Sequence, residues 1–277
     1  MMKVGFVGIG RMGKPMALNV LNAGFDLTVY DLSDEPIRQL VQLGAKKAHS
    51  PKQLAENSDL VQIVVVDDAQ VESVCRGNHG VFAGVRPNSI VAIHSTVTPV
   101  TVKRLGKTGN EIAAQVLDAP VTGGEVGARE KSLCYMVGGE RAALERCRDV
   151  FASSGPAIFY MGDLGSGAAA KMIVQVVTCI NMLAAHEAES LAERSDLDFA
   201  ALQKVLRMSS GQSFVADHWI QRFKLPQDPM EIRRKRTEVF RKSLSPALKM
   251  AQELGLSLAG AALVERLLPQ IMGIEDP

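Results

Sequence analysis

The sequence predicts an α/β protein, with a doubly wound, mostly parallel sheet in residues 1–163 and an all-α domain in residues 164–277. Three observations predict it. Short β-branched runs alternate with segments of helical length in the first part, the pattern of parallel strands joined by helical crossovers. These strand signals stop after Gly165. Residues 168–193 then run without proline or glycine, long enough for a single inter-domain helix.

Taken in order, the expected strands are 3–7, 27–31, 60–66, 89–93, 116–118, 133–137 and 157–160. Their continuous apolar character argues for burial on both faces. Between them, 12–23, 35–43, 70–76, 100–107 and 141–154 have helical length and composition, and 199–208, 246–254 and 260–272 follow the long helix. No internal repeat or low-complexity tract interrupts this plan.

Composition narrows the function. The chain has 277 residues, 47% hydrophobic and 22% charged, enough for two real cores. A net charge of +1 supplies no field that would recruit nucleic acid or an anionic membrane, so a small-molecule role fits better. Cys75, Cys134, Cys147 and Cys179 lie far apart with no CxxC pair, and the histidines show no HExxH spacing, so no metal site and no disulfide framework is expected. The first strand begins at Lys3, which leaves no room for a signal peptide and makes the cytoplasm the expected location. The apolar stretch 172–185 is flanked by Lys171 and His186 and contains Gln175 and Asn181, which suits a buried helix better than a bilayer span.

The turn after the first strand reads Gly8-Ile9-Gly10-Arg11-Met12-Gly13 and opens a helix. In that context Gly8 permits the tight bend, Gly10 lets backbone approach a pyrophosphate, and Gly13 lets the helix sit close to the sheet. The helix N-terminus supplies amide donors and positive dipole. Asp31, at the end of the second strand, can accept from both ribose hydroxyls and would repel a 2′-phosphate. The first domain is therefore expected to be of Rossmann type and to bind NAD, with NADP open because Arg38 or a nearby lysine can still meet a phosphate.

Beyond this turn, Asp118-Ala-Pro-Val-Thr122-Gly123-Gly124, Gly165-Ser-Gly167 with Lys171 and Gln175, Ser95-Thr96 with Pro99, and Lys242-Ser-Leu244 recur across the chain. Together with Val7-Gly-Ile-Gly-Arg-Met-Gly-Lys-Pro-Met-Ala17, these stretches resemble the β-hydroxyacid dehydrogenases, the family of 3-hydroxyisobutyrate dehydrogenase and tartronate semialdehyde reductase. The resemblance implies Lys171 and Gln175 as catalytic, Thr122, Gly123 and Gly124 as substrate-binding, and Ser95, Thr96 and Lys242 as beside the cofactor. Four positions depart from the family pattern. Thr122 replaces serine, Gln175 replaces asparagine, Ser243 replaces aspartate, and Lys131 stands where the family has glycine.

The chemistry fits these residue types. Hydride transfer to an aldehyde builds charge on the carbonyl oxygen, so a proton donor must wait there. Lys171 and Gln175 share a helix face at four-residue spacing. A lysine at an apolar surface is costly to keep charged and can act as base in oxidation and acid in reduction. A snorkelling lysine at a helix start is the bland alternative. Thr122 with the two glycine amides makes a nest for a carboxylate, although Thr-Gly-Gly is also an ordinary turn. The expected activity is oxidation or reduction of a small β-hydroxy acid or semialdehyde. A non-catalytic nicotinamide-binding scaffold and an imine reductase are the alternatives, the lysine counting against the latter. The cluster Arg233-Arg-Lys-Arg236, flanked by Glu231 and Glu238, reads as a solvated face or a phosphate contact rather than a nucleic-acid site. Apolar surface on the long helix points to a homodimer or homotetramer.

Overall fold

The computed structural model describes residues 2–274 and divides the chain into two compact units, Met1–Lys171 and Met172–Pro277. The outer limits expected for the two domains, residues 1 and 277, lie outside the described residues.

The first unit is built on one sheet. Its strands are β1 (Lys3–Val7), β2 (Asp26–Tyr30), β3 (Lys46–Lys47), β4 (Leu60–Ile63), β5 (Ile90–Ile93), β6 (Gln115–Asp118), β7 (Val121–Thr122), β8 (Cys134–Gly138) and β9 (Ala157–Gly162). The spatial order is β3-β2-β1-β4-β5-β6-β8-β7, with β9 paired to β8. The first six run parallel; β8 meets β6 and β7 antiparallel and β9 parallel. The chain winds outward from β1 to β3, then returns to β4 on the other side. The order therefore reverses between β1 and β4, the place where open α/β sheets bind ligands.

Alternate residues feed two cores. Phe6, Leu60, Ile90 and Ala92 enter one apolar cluster, while Val7, Val61, Val91 and Ile93 enter the other. The first is closed by α1 (Gly13–Asn22), α2 (Asp34–Gln42) and α7 (Arg141–Ala152) through Ala17, Ile37 and Phe151. The second is closed by α3 (Pro51–Glu56), α4 (Asp68–Cys75) and α5 (Pro99–Glu111) through Leu54, Val71 and Val102. Each fully buried aliphatic side chain contributes about 1.5–3 kcal/mol, so the two-sided burial read from the strands is the main stabilising element. Helix starts follow local chemistry. Ser50, Asp67 and Thr98 accept from the amides of Gln53, Gln70 and Thr101, and Pro51 and Pro99 occupy first-turn positions where no amide is needed.

Several elements differ from the sequence reading. The two-residue strands β3 and β7, the short α3 and α6 (Gly124–Arg129), and a 3-10 turn at Val81–Ala83 are too brief to show a period. β4 stops at Ile63 instead of reaching residue 66, because Val65 donates its amide to Ser95 Oγ at 2.9 Å and the chain leaves the sheet. Lys131, the position where the family has glycine, holds φ 56°, so this chain puts a side chain where the left-handed region costs about 1–2 kcal/mol.

The long helix α8 (Ser166–Arg194) starts within the first unit, where Ala168 belongs to the second sheet cluster. The two compact units accordingly meet after Lys171, within α8. By length and composition α8 holds an 18-residue stretch of mean hydropathy 1.6, apolar enough to cross a membrane, a property that the core helix of a soluble protein shares. The second unit continues through α9 (Phe199–Arg207), α10 (Phe214–Asp217), a π-helical turn (Trp219–Lys224), α11 (Met230–Glu253) and α12 (Ala259–Ile271). Cys179, Met182, Trp219, Leu244 and Leu268 form its core. Buried Glu189 is satisfied there by Trp219 Nε1 at 2.8 Å and Lys224 Nζ at 2.7 Å.

Helix α11 is far longer than the expected 246–254 and runs through Pro246. Its charged first half lacks an apolar period, and ion pairs support it instead, Glu231 with Lys235 among them. The basic cluster is partly structural. Arg233 donates to the carbonyls of Asp228 and Gly273, and Arg236 to those of Arg222 and Phe223. Two of its four cations thus hold backbone carbonyls inside the unit, and a third pairs with Glu231.

Candidate active site

The phosphate loop begins where β1 ends. Gly8 holds φ +91°, and a Cβ there would sit 2.1 Å from the Val64 carbonyl oxygen. At Gly13 a Cβ would lie 1.8 Å from the Gly8 carbonyl oxygen, so α1 can start only because the residue is glycine. Gly10 is different, for nothing lies within 4 Å of its Cβ position. The protein itself makes no demand for glycine there; an approaching pyrophosphate does. Among the described residues, no side chain caps α1 and no acid lies in its first turn, which leaves its amides and positive end suited to an anion. The residues present fit a dinucleotide.

Asp31 stands one residue past β2. Its Oδ2 accepts from the Ile9 amide at 2.5 Å and its Oδ1 from the Ser33 amide at 2.8 Å, so the ribose candidate also fixes the phosphate loop. Buried Ser95 uses its hydroxyl to hold Val65, and half-buried Thr96 follows it after β5. Met12 is half-buried beside the first core cluster. The Arg11 side chain turns across to Glu125, Nε to Oε2 at 3.1 Å, and Arg129 reaches the other carboxylate oxygen at 2.6 Å. Arg129, and after it Arg11, hold the Glu125 carboxyl below the usual carboxylate range against the opposing effect of burial. The glycine turn after β1 and the start of α6 after Gly123 are thereby clasped together.

Thr122 closes β7 opposite Cys134 on β8. Gly123 and Gly124 carry positive φ and lead into α6, whose first amides lie at the turn. Lys171 is 8% exposed, an unusual burial for lysine. It lies near enough to Cys134 for its charge to act on the thiol, which burial pushes up and the ammonium pulls back. The strand residue paired with Thr122 thus also feels the charge of the lysine. Gln175 is half-buried one turn further along α8, within the second unit, as is exposed Lys242 on α11. Ser243, the aspartate replacement, is buried and donates its hydroxyl to the Val239 carbonyl oxygen at 3.0 Å.

Two buried polar groups lie at the ends of β5 and β6, and the role of Asp118 escaped the sequence reading. Asp118 ends β6 with no exposure; its Oδ1 accepts from the Gly165 amide at 2.8 Å and its Oδ2 from the Ala168 amide at 2.6 Å. Burial pushes its carboxyl up to about 6 although these amides oppose the shift. His94 is buried edge-on to Tyr135 and Phe151. Its Nδ1 donates to the Ala119 carbonyl oxygen at 2.8 Å, and its Nε2 lies 3.0 Å from the Gln62 amide group. With Nδ1 carrying the proton, Nε2 must accept, so Gln62 presents its NH2. Burial pushes the imidazole down to about 4.

These two groups act on acid stability with opposite signs. His94 is neutral when folded but takes a proton when unfolded, so its contribution is lost as pH falls from 6.5 toward 4. Asp118 keeps a proton when folded that the unfolded chain releases, so its contribution is lost as pH rises from 3.8 toward 6. In Asp118→Asn the histidine slope stands alone. Urea unfolding is expected to show stability dropping by about 1 kcal/mol more per pH unit between pH 6 and 4 than in the parent; parallel curves would contradict this.

Comparison with known proteins agrees with the geometry. Residues 3–162 match the family described as the NAD-binding domain of 6-phosphogluconate dehydrogenase, and 165–273 that described as the NAD-binding region of NADP-dependent 3-hydroxyisobutyrate dehydrogenase. The chain is 33% identical over 270 residues to the 2-hydroxy-3-oxopropionate reductase of Escherichia coli, covering 96% of this chain and 90% of that one. It is 34% identical over 214 residues to the mitochondrial 3-hydroxyisobutyrate dehydrogenase of Rattus norvegicus, 77% of this chain and 64% of that one. A solved 3-hydroxyisobutyrate dehydrogenase of Salmonella typhimurium superposes with a TM-score of 0.82 at 27% identity, covering 98% and 94% of the two chains. A buried lysine and a glycine turn that fits a dinucleotide thus coincide with kinship along nearly the whole sequence: the chain belongs to the β-hydroxyacid dehydrogenase family, NAD(P)-dependent oxidoreductases acting on CH–OH groups.

Proposed function

We propose that the chain transfers hydride between NAD(H) and a small acid bearing a hydroxyl or aldehyde β to its carboxylate. The observation that carries this is Lys171 buried at the start of α8, its charge acting on Cys134, the strand partner of Thr122. The bound nicotinamide supplies or takes the hydride. Lys171 gives a proton to the carbonyl oxygen in reduction and removes it from the hydroxyl in oxidation. The Thr122 hydroxyl and the amides of Gly123 and Gly124 hold the carboxylate, and Gln175 orients the reacting end. Gly8 to Gly13 cradle the pyrophosphate, Asp31 takes the ribose hydroxyls in preference to a 2′-phosphate, and Ser95, Thr96 and Lys242 flank the cofactor. Residues 1–163 serve the dinucleotide and 164–277 substrate and subunit contact.

The protein works in the cytoplasm as a homodimer or homotetramer, without nucleic acid or membrane. Ile173, Val177, Ile180, Ala184, Glu187 and Leu191 follow one another at alternating four- and three-residue steps on α8, and all are exposed. That is the spacing of a helix seam seeking a partner helix, and a second copy supplies one.

The test is a panel of 3-hydroxy acids and semialdehydes run with NAD(H) and NADP(H), the same sample being sedimented. Turnover with lower KM for NAD than NADP, by a multimer, is expected. Cofactor binding without turnover on any substrate would favour the scaffold reading, and an active monomer would exclude the seam.

A further inference from the structure

We infer that Asp118 is a positioning residue for Lys171, seating the lysine-bearing helix against the carboxylate-binding turn. The inference rests on the proposed role of Lys171. Asp118 is the last residue of β6, and only Ala119, Pro120 and Val121 separate it from Thr122. Its carboxylate takes the amides of Gly165 and Ala168, at the opening of α8, one turn before Lys171. One side chain therefore joins the strand that delivers the substrate turn to the helix that delivers the lysine.

The fit around it leaves little slack. A Cβ at Gly138 would lie 2.5 Å from Asp118 Oδ1. A Cβ at Gly167 would lie 2.3 Å from the Met136 carbonyl oxygen and 2.8 Å from that of Asp118. The helix start is thus pressed directly onto β6 and β8, and the carboxylate fixes its height there. A buried carboxylate that loses these amides, or amides that lose the carboxylate, must shift to find other partners. A shift of about 1 Å at a reacting group lowers a rate by about 100-fold.

An ordinary helix cap would affect stability alone, so the test must read catalysis per folded enzyme. The variants are Asp118→Asn, Asp118→Ala, Lys171→Ala and the double variant Asp118→Asn with Lys171→Ala. Each is assayed at high enzyme concentration for kcat and for KM of the acid, with NADH affinity and thermal unfolding measured alongside. Asp118→Asn keeps one acceptor oxygen and is expected to lower kcat by about tenfold, and Asp118→Ala by about 100-fold, with NADH affinity retained. On the Lys171→Ala background Asp118→Asn should lower kcat no further, because the group it seats is gone.

A lower melting temperature with unchanged kcat in Asp118→Asn would reduce Asp118 to a cap and overturn the inference. Independent, multiplying losses in the double variant would overturn it as well, by separating Asp118 from the lysine. Full turnover in Lys171→Ala would remove the proposed chemistry itself, an outcome visible in that single variant alone. If Asp118→Ala does not fold, the asparagine series decides.

Discussion

Lys171→Ala is expected to lower kcat by about 10³-fold while NADH still binds, because a positioned proton donor contributes about 10²–10⁴-fold. The phosphate loop, Asp31 and their hydrogen bonds lie elsewhere on the sheet edge and do not depend on this side chain. Steady-state kinetics with the best acid from the panel, beside an NADH fluorescence titration, checks the result. Unchanged kcat would mean that the proton comes from another group. A rise in KM alone would mean that the lysine merely binds the acid.

Gly13→Ala should nearly abolish dinucleotide binding, with a loss of about 100-fold or more in NADH affinity. The new Cβ would meet the Gly8 carbonyl oxygen at 1.8 Å, so loop or helix must move. Overpacking of this kind costs about 1–3 kcal/mol, and the melting temperature should fall with it. Gly10→Ala makes the informative contrast. Its Cβ meets nothing within 4 Å, so the free protein should melt as the parent does while NADH affinity drops by about tenfold. Equal melting temperatures for both variants would show that Gly13 is not under the contact described, and undiminished affinity in Gly10→Ala would take the pyrophosphate off this turn.

The longer elements of the first unit were legible because its strands are buried on both sides and interrupted by helices, so β-branched runs and helical segments alternate. The glycine turn was legible because strand, turn and helix are adjacent in sequence. Asp118 was not, since its partners Gly165 and Ala168 lie 47 and 50 residues away and a carboxylate in Asp-Ala-Pro carries no sign of what it will cap. Helix α11 was missed for a different reason. Its first half is held by ion pairs and by arginine bonds to carbonyls, and such a helix shows charge where a pattern reader looks for an apolar stripe. Lys131 shows the reverse case, in which the resemblance marked a departure and the backbone angle supplied its meaning.

The bond between Arg11 and Glu125 faces the solvent. Its guanidinium is largely in water, and a pair of that sort holds with no more than about 1 kcal/mol and weakens as dissolved ions crowd around it. How firmly the glycine turn is fastened to the start of α6 is then set by the ionic strength outside as much as by the polypeptide: snug in dilute buffer, loose in brine.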